Sequence, residues 1–240
     1  MATVGTALDG RVIAVAGGAG NLGPTVVRRL ADAGSHACVC GRDHAALEAL
    51  ASEIETPIET DVVDLLDPVA TMSWAADLAA RHDGHVDGLV HLVGGWRGGT
   101  PIEEAPLEDW DFLSALLVRT VQHATQAFAP SLMKSTRGRF VLVSAGQAQA
   151  PTHTNAAYAA AKAASETWTL ALANRFTGTG ATANIVVVGS IVTPAMREES
   201  PDKDFSTFTP AEEIAAAIAY LCSDAASSMN GQRVTLRGAV

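Results

Sequence analysis

The chain has 240 residues, a hydrophobic fraction of 48% and a formal net charge of −10 from 16 bases and 26 acids. That is enough apolar material for a sizeable core, while the acidic balance without a basic block argues against a nucleic-acid partner. Apolar runs are too short and too interrupted to span a membrane, three cysteines are too few and odd in number for a disulfide framework, and the start MATVGTALDG lacks a leader pattern; a reducing, cytoplasmic setting is expected.

Two periodicities alternate along the chain. Short apolar runs rich in β-branched residues predict strands, and longer alanine- and leucine-rich segments with helical spacing predict helices. The first strand, Val12–Ala16, leads to a helix at Pro24–Ala33. Then come a strand at Ala37–Cys40, a helix at Ala45–Glu53, a weaker strand at Pro57–Asp61 and a helix at Pro68–Arg81 capped by Asp67. The strand Gly88–Val93 precedes one long helix, Pro106–Met133. Phe140–Val143, Ala156–Phe176 and Ile185–Val188 continue the alternation. The polar stretch Met196–Pro210 reads as a surface loop of lid character, followed by a helix at Ala211–Ser223 capped by Thr209 and a strand at Val234–Leu236. The order predicts an α/β protein with one doubly wound, seven-stranded parallel sheet flanked by helices on both faces, the whole chain 1–240 forming one domain.

Directly after the first strand comes Gly17-Gly18-Ala19-Gly20-Asn21-Leu22-Gly23. Glycine suits a Rossmann-type dinucleotide loop because it permits a tight turn, close approach of a pyrophosphate and helix–sheet packing, while the helix start offers free N–H donors. At the end of the second strand, where ribose specificity is set, stand Gly41, Arg42 and Asp43. With no carboxylate at Gly41 and a guanidinium next to it, NADP(H) is favoured over NAD(H). The alternative is a solvated Arg42 with Asp43 reaching the ribose.

The chain has two tyrosines and three lysines, and one of each stands four apart at Tyr158 and Lys162 on a predicted helix. That spacing puts both on one face, and a Tyr-x3-Lys arises by chance with a probability of about 2–3% at this composition. A cation beside a phenol stabilises the phenolate.

These residues together resemble the short-chain dehydrogenases/reductases over essentially the whole chain. The landmarks run from the glycine loop through Asp61-Val62, the Gly94 turn, a serine after the fifth strand, Tyr158/Lys162, Gly189 and Thr193-Pro194 to Gly231-Gln232. The resemblance implies Tyr158 as general acid or base, and Lys162 as the group that binds the nicotinamide ribose and lowers the tyrosine pKa. Asp61 and Val62 would flank the adenine, and Gly94, Gly189, Ile191 and Thr193 would contact the cofactor. It implies further a small carbonyl or alcohol substrate and a homodimer or homotetramer built through the long helices.

Four positions depart from the pattern. The catalytic serine is expected thirteen residues before the tyrosine, where Ala145 stands. An extra residue in the Gln147–Asn155 loop would restore the neighbouring Ser144 to the site; otherwise Ser144 caps the strand end and Ala145 faces substrate. Leu117 occupies the slot of a relay asparagine, His91 that of an asparagine in the turn before Gly94, and Val188 that of a proline. Trp96, Gln147, His153, Ser190 and Met196 are pocket candidates, and Arg97 points to an acidic substrate or to solvent. Cys38 and Cys40 share one strand face as small hydrophobes. His82-x-x-His85 lacks further ligands nearby in sequence, so no metal site is expected. The reading is an NADP-dependent oxidoreductase interconverting a carbonyl and a secondary alcohol; the rival is a catalytically weak NADP-binding sensor or partner subunit.

Overall fold

The computed structural model describes residues 7–236; Met1–Thr6, which carry part of the leader reading, lie outside the described residues. Strands and helices alternate as β1 (Val12–Ala16), α1 (Gly23–Asp32), β2 (His36–Gly41), α2 (His44–Glu53), β3 (Glu59–Val62), α3 (Pro68–Arg81) and β4 (Gly88–His91). They continue as α4 (Glu108–Ser114), α5 (Thr120–Lys134), β5 (Arg139–Ala145), α6 (Ala156–Phe176), β6 (Thr182–Val188), β7 (Ile191–Val192), α7 (Pro194–Glu199), β8 (Thr209–Pro210), α8 (Ala211–Cys222) and β9 (Arg233–Thr235). Seven strands form one sheet in the order β3-β2-β1-β4-β5-β6-β9, with every neighbouring pair parallel.

Strand periodicity sorts the core into two layers. Val15, Val39, Val141 and Val186 face α1 and α8, whereas Ala14, Cys38, Leu142 and Ile185 face α3 and α5. Because both faces are covered, the strands β1, β4, β5 and β6 are buried at every residue, which is why they read as continuous apolar runs. Cys38 and Cys40 lie in the α3 layer as buried thiols, pushed up to about 12 by burial.

Asp67 caps α3, accepting hydrogen bonds from the Val69 and Ala70 amides at 2.8 and 3.1 Å. The structure differs from the sequence reading in three places. The segment read as one helix breaks into α4 and α5 around a five-residue π-helical stretch, Ala115–Arg119, whose wider turn offers no period that sequence spacing resolves. Thr209 is not the cap of α8: Pro210 holds that position without a side-chain bond, and Thr209 pairs with Ile191 in the small β7–β8 sheet. The stretch Met196–Pro210 is therefore tied down, by α7 at its start, β8 at its end and the buried Phe205 between.

Candidate active site

Strand order reverses between β1 and β4, and ligands in open α/β sheets bind outside the carboxyl ends of the strands at such a point. A cleft of about 780 Å³ opens there. It runs from the glycine loop and Arg42 past Gly94 and Trp96 to Tyr158, Lys162, Thr193 and Met196.

The loop between β1 and α1 is folded by its glycines. Gly17 has a positive φ of 78° and donates to the Cys40 carbonyl at 3.0 Å. A Cβ on Gly23 would sit 1.8 Å from the Gly18 carbonyl oxygen, and one on Gly18 would sit 2.4 Å from Val39 Cγ1. Gly18 lies beneath the cleft, while Gly17, Gly20, Asn21, Leu22 and Gly23 line it. Leu22, at the start of α1, provides no side-chain cap. Among the described residues the Asn21 and Leu22 amides donate to no backbone carbonyl. An uncapped helix start with free donors, closed by glycines that admit no side chain, fits the pyrophosphate of a dinucleotide.

At the far side of the loop, Arg42 is exposed, lines the cleft and has no ion-pair partner among the described residues. Asp43 instead caps α2, accepting from the Ala46 amide at 3.2 Å. Asp61 and Val62 do not line the cleft. Asp61 lies inside β3, opposite Cys40, and accepts from Trp74 Nε1 at 3.1 Å and from the Arg81 guanidinium. The residues that reach the cleft are Val63, Asp64, Leu65 and Leu66, beyond the strand end.

Tyr158 and Lys162 emerge one turn apart from α6, with Lys162 Nζ 5.9 Å from the Tyr158 ring centroid. Among the described residues the Tyr158 hydroxyl has no hydrogen-bond partner. Lys162 is buried and donates to the Val143 carbonyl at 3.1 Å. Burial pushes its ammonium down to about 8, and the Glu166 carboxylate one turn further along α6 works in the opposite direction. The tyrosine departs from the expectation that the lysine lowers it: burial raises its pKa above 10.0. In this structure Lys162 is spent on a carbonyl rather than on the phenol oxygen.

Ser144 lines the same cleft as Tyr158 and Lys162 but makes no hydrogen bond to either among the described residues. Its hydroxyl donates to Glu166 Oε1 at 2.6 Å. Glu166 also accepts from Arg233 Nε at 2.7 Å and Gln149 Nε2 at 3.4 Å. Residues 144 and 145 point to opposite faces of β5, and at the strand end both reach the cleft.

His91 is fully buried, and neither ring nitrogen has a hydrogen-bond partner among the described residues. Burial, followed by repulsion from Lys162, lowers it to about 3, so its imidazole is neutral. Leu117 is buried against Leu113 and Ala161, while its neighbours in the π-helical stretch and just after it, Leu116 and Thr120, line the cleft. Sequence reasoning missed both of these, because only the π turn rotates them inward.

Of the pocket candidates, Trp96 and Met196 line the cleft, as do Gly94, Gly189, Ile191 and Thr193. Gln147, His153 and Ser190 do not. Gln147 lies in a short 3-10 turn, His153 is exposed on the following loop, and exposed Ser190 accepts the Thr209 amide through its carbonyl. Arg97 is held by Asp109 at 3.2 Å and lies 3.8 Å from the Phe112 ring centroid, so it is not a free substrate contact.

The switch-point cleft, the glycine loop and the Tyr–Lys pair lie together in a Rossmann-like α/β fold. A family model described as short chain dehydrogenase matches residues 11–204. The chain belongs to that family and is an oxidoreductase. An uncharacterized oxidoreductase of Staphylococcus epidermidis is 27% identical over 95% of this chain and 96% of its own length. Gluconate 5-dehydrogenase of Gluconobacter oxydans is 28% identical over 97% and 95%. The fold is also that of a gluconate 5-dehydrogenase from Burkholderia cenocepacia solved with NADP and tartrate, at a TM-score of 0.85, 24% identity, and 96% and 95% coverage. Among the described residues no helix is long and apolar enough to cross a membrane.

Proposed function

We propose that this protein interconverts a small carbonyl compound and its secondary alcohol, using a nicotinamide dinucleotide with NADP(H) preferred over NAD(H). One observation carries the reading: Tyr158, its hydroxyl free, and Lys162 share a cleft with an uncapped glycine-loop helix. Gluconate 5-dehydrogenase among the relatives supports the alcohol–carbonyl class.

The glycine loop would hold the pyrophosphate, with Asp64 and Leu65 at the adenine end and Ile191 and Thr193 at the nicotinamide end. Arg42 would face the 2′-phosphate, while Asp43, which also lines the cleft, spends one carboxylate oxygen on the cap of α2. When bound, the cofactor supplies or accepts the hydride. Tyr158 gives its proton to the substrate oxygen in reduction and takes it back in oxidation. Its raised pKa keeps it protonated near neutrality, which suits the reductive direction. Lys162 carries its charge below about pH 8 and, lining the same cleft, would hold the ribose hydroxyls. Trp96 and Met196 would bound the substrate.

The test is NADPH-dependent loss of reduced-cofactor absorbance with a carbonyl panel. Tyr158→Phe should abolish turnover and leave cofactor binding intact, and retained activity in that variant would sink the mechanism. The second reading, an NADP-binding sensor or partner subunit, is favoured by the commitment of Ser144 to Glu166 and by Leu117. Cofactor binding by calorimetry without turnover of any carbonyl would select it. A homodimer or homotetramer through the α4–α5 and α6 faces, in a reducing cytoplasm, completes the reading, and light scattering measures the assembly.

A further inference from the structure

We propose that Cys38, Glu59 and His82 form a site for a divalent transition-metal ion of the zinc class, separate from the cleft. None of the three lines that cleft. Sequence spacing pairs His82 only with His85, whereas the fold supplies the other ligands from two strands. Cys38 and Glu59 are direct register partners across β2 and β3, and His82 follows the last residue of α3, which covers that face. Cys38 Sγ lies 3.7 Å from His82 Nε2, and His82 Nε2 lies 2.7 Å from a Glu59 carboxylate oxygen. One ligand atom from each residue falls within 4.8 Å of the others.

These separations are close to those of a tetrahedral site. Zinc–sulfur and zinc–nitrogen bonds of about 2.3 and 2.0–2.1 Å put the two ligand atoms about 3.6 Å apart. The Glu59 oxygen needs to back away by about 0.7 Å from hydrogen-bond contact to reach its place, and Glu59 is part-exposed. Arg81 does not fill the site: its two terminal nitrogens grip Asp61 at 3.1 and 2.6 Å, and only its Nε meets the other Glu59 oxygen, at 3.3 Å. With the thiolate formed, Cys38, Glu59 and Asp61 set three negative charges against the one of Arg81, and the two left over match a divalent ion. A thiolate with imidazole and carboxylate selects zinc-like ions over magnesium or calcium. Binding changes no oxidation state; the Cys38 proton leaves to solvent and water takes the fourth position. The ion would pin the end of α3 to the β2–β3 edge.

Chelator-stripped full-length protein is titrated with Co²⁺ and followed by absorbance. The expected result is one equivalent bound, with a near-ultraviolet thiolate-to-cobalt band that Cys38→Ser removes and Cys222→Ala keeps. Cys38 is fully buried, so the part-exposed ligands provide the second arm: His82→Gln and Glu59→Gln should each weaken Co²⁺ binding at least about tenfold, no less than loss of an outer partner costs. Absence of the band, its persistence in Cys38→Ser, or unchanged affinity in His82→Gln and Glu59→Gln overturns the site and leaves a His82–Glu59 contact over a buried thiol. None of these readouts uses enzyme turnover, so they stand apart from the catalytic reading.

Discussion

Lys162 offers a test of the site that needs no substrate. Its ammonium is buried and its pKa falls from 10.5 to about 8. In the unfolded chain the lysine keeps its ordinary value. Below about pH 8 both states hold the proton, and the folded state bears the whole cost of the buried charge. Between about 8 and 10.5 the unfolded chain binds more protons than the folded one, so stability rises with pH; above that window the two states again match. Integrated over the shift, the buried charge costs about 3 kcal/mol at pH 7. Lys162→Met keeps the length of the stem and removes the titration. Its other loss, the Val143 hydrogen bond, enters both ends of the window and largely cancels when pH values are compared, and the attraction of Glu166 for the charged form is already contained in the shifted pKa. Urea unfolding of both proteins from pH 7 to pH 10.5 should show the stability of the wild type gaining about 3 kcal/mol on that of the variant. A difference that stays flat with pH would refute the argument that burial dominates this lysine.

Two further outcomes follow from the hydrogen-bond arrangement. Ser144→Ala should lower kcat less than about tenfold, because the hydroxyl serves Glu166, and should cost about 1.5–3 kcal/mol of stability in urea for the lost bond to a buried carboxylate. A kcat loss beyond about a hundredfold with stability unchanged would return the serine to the chemistry. Arg42→Ala should raise the Kd for NADPH about ten- to a hundredfold and leave NADH nearly unmoved, as expected for one charge-assisted phosphate contact; equal losses for both cofactors would remove Arg42 as the selector.

Most of the architecture was legible because periodicity and burial agree. Strands covered on both faces read as unbroken apolar runs, and Val12–Ala16, Pro68–Arg81 and Ala156–Phe176 have the same limits in sequence and structure. The glycine loop and the Tyr158–Lys162 pair were legible for a related reason: each is built within a few residues of contiguous backbone, where spacing fixes geometry. Asp61 and Asp64 stand three residues apart, and only the end of β3 decides that Asp64 rather than Asp61 lines the cleft. The Met196–Pro210 stretch looked like a loop because two-residue strands and a six-residue helix leave no periodic signal.

What the sequence by itself determined is the parallel α/β fold, the glycine loop after β1 and the placing of Tyr158 and Lys162 one turn apart on α6, all local or repetitive patterns. The tertiary structure alone decided which way Ser144 points, that Glu166 and Arg233 meet behind the lysine, that a π turn brings Leu116 and Thr120 to the cleft, and that Cys38, Glu59 and His82 converge. Each of these depends on strand register or helix phase between segments far apart in the chain, and neither is written in the spacing of any single segment.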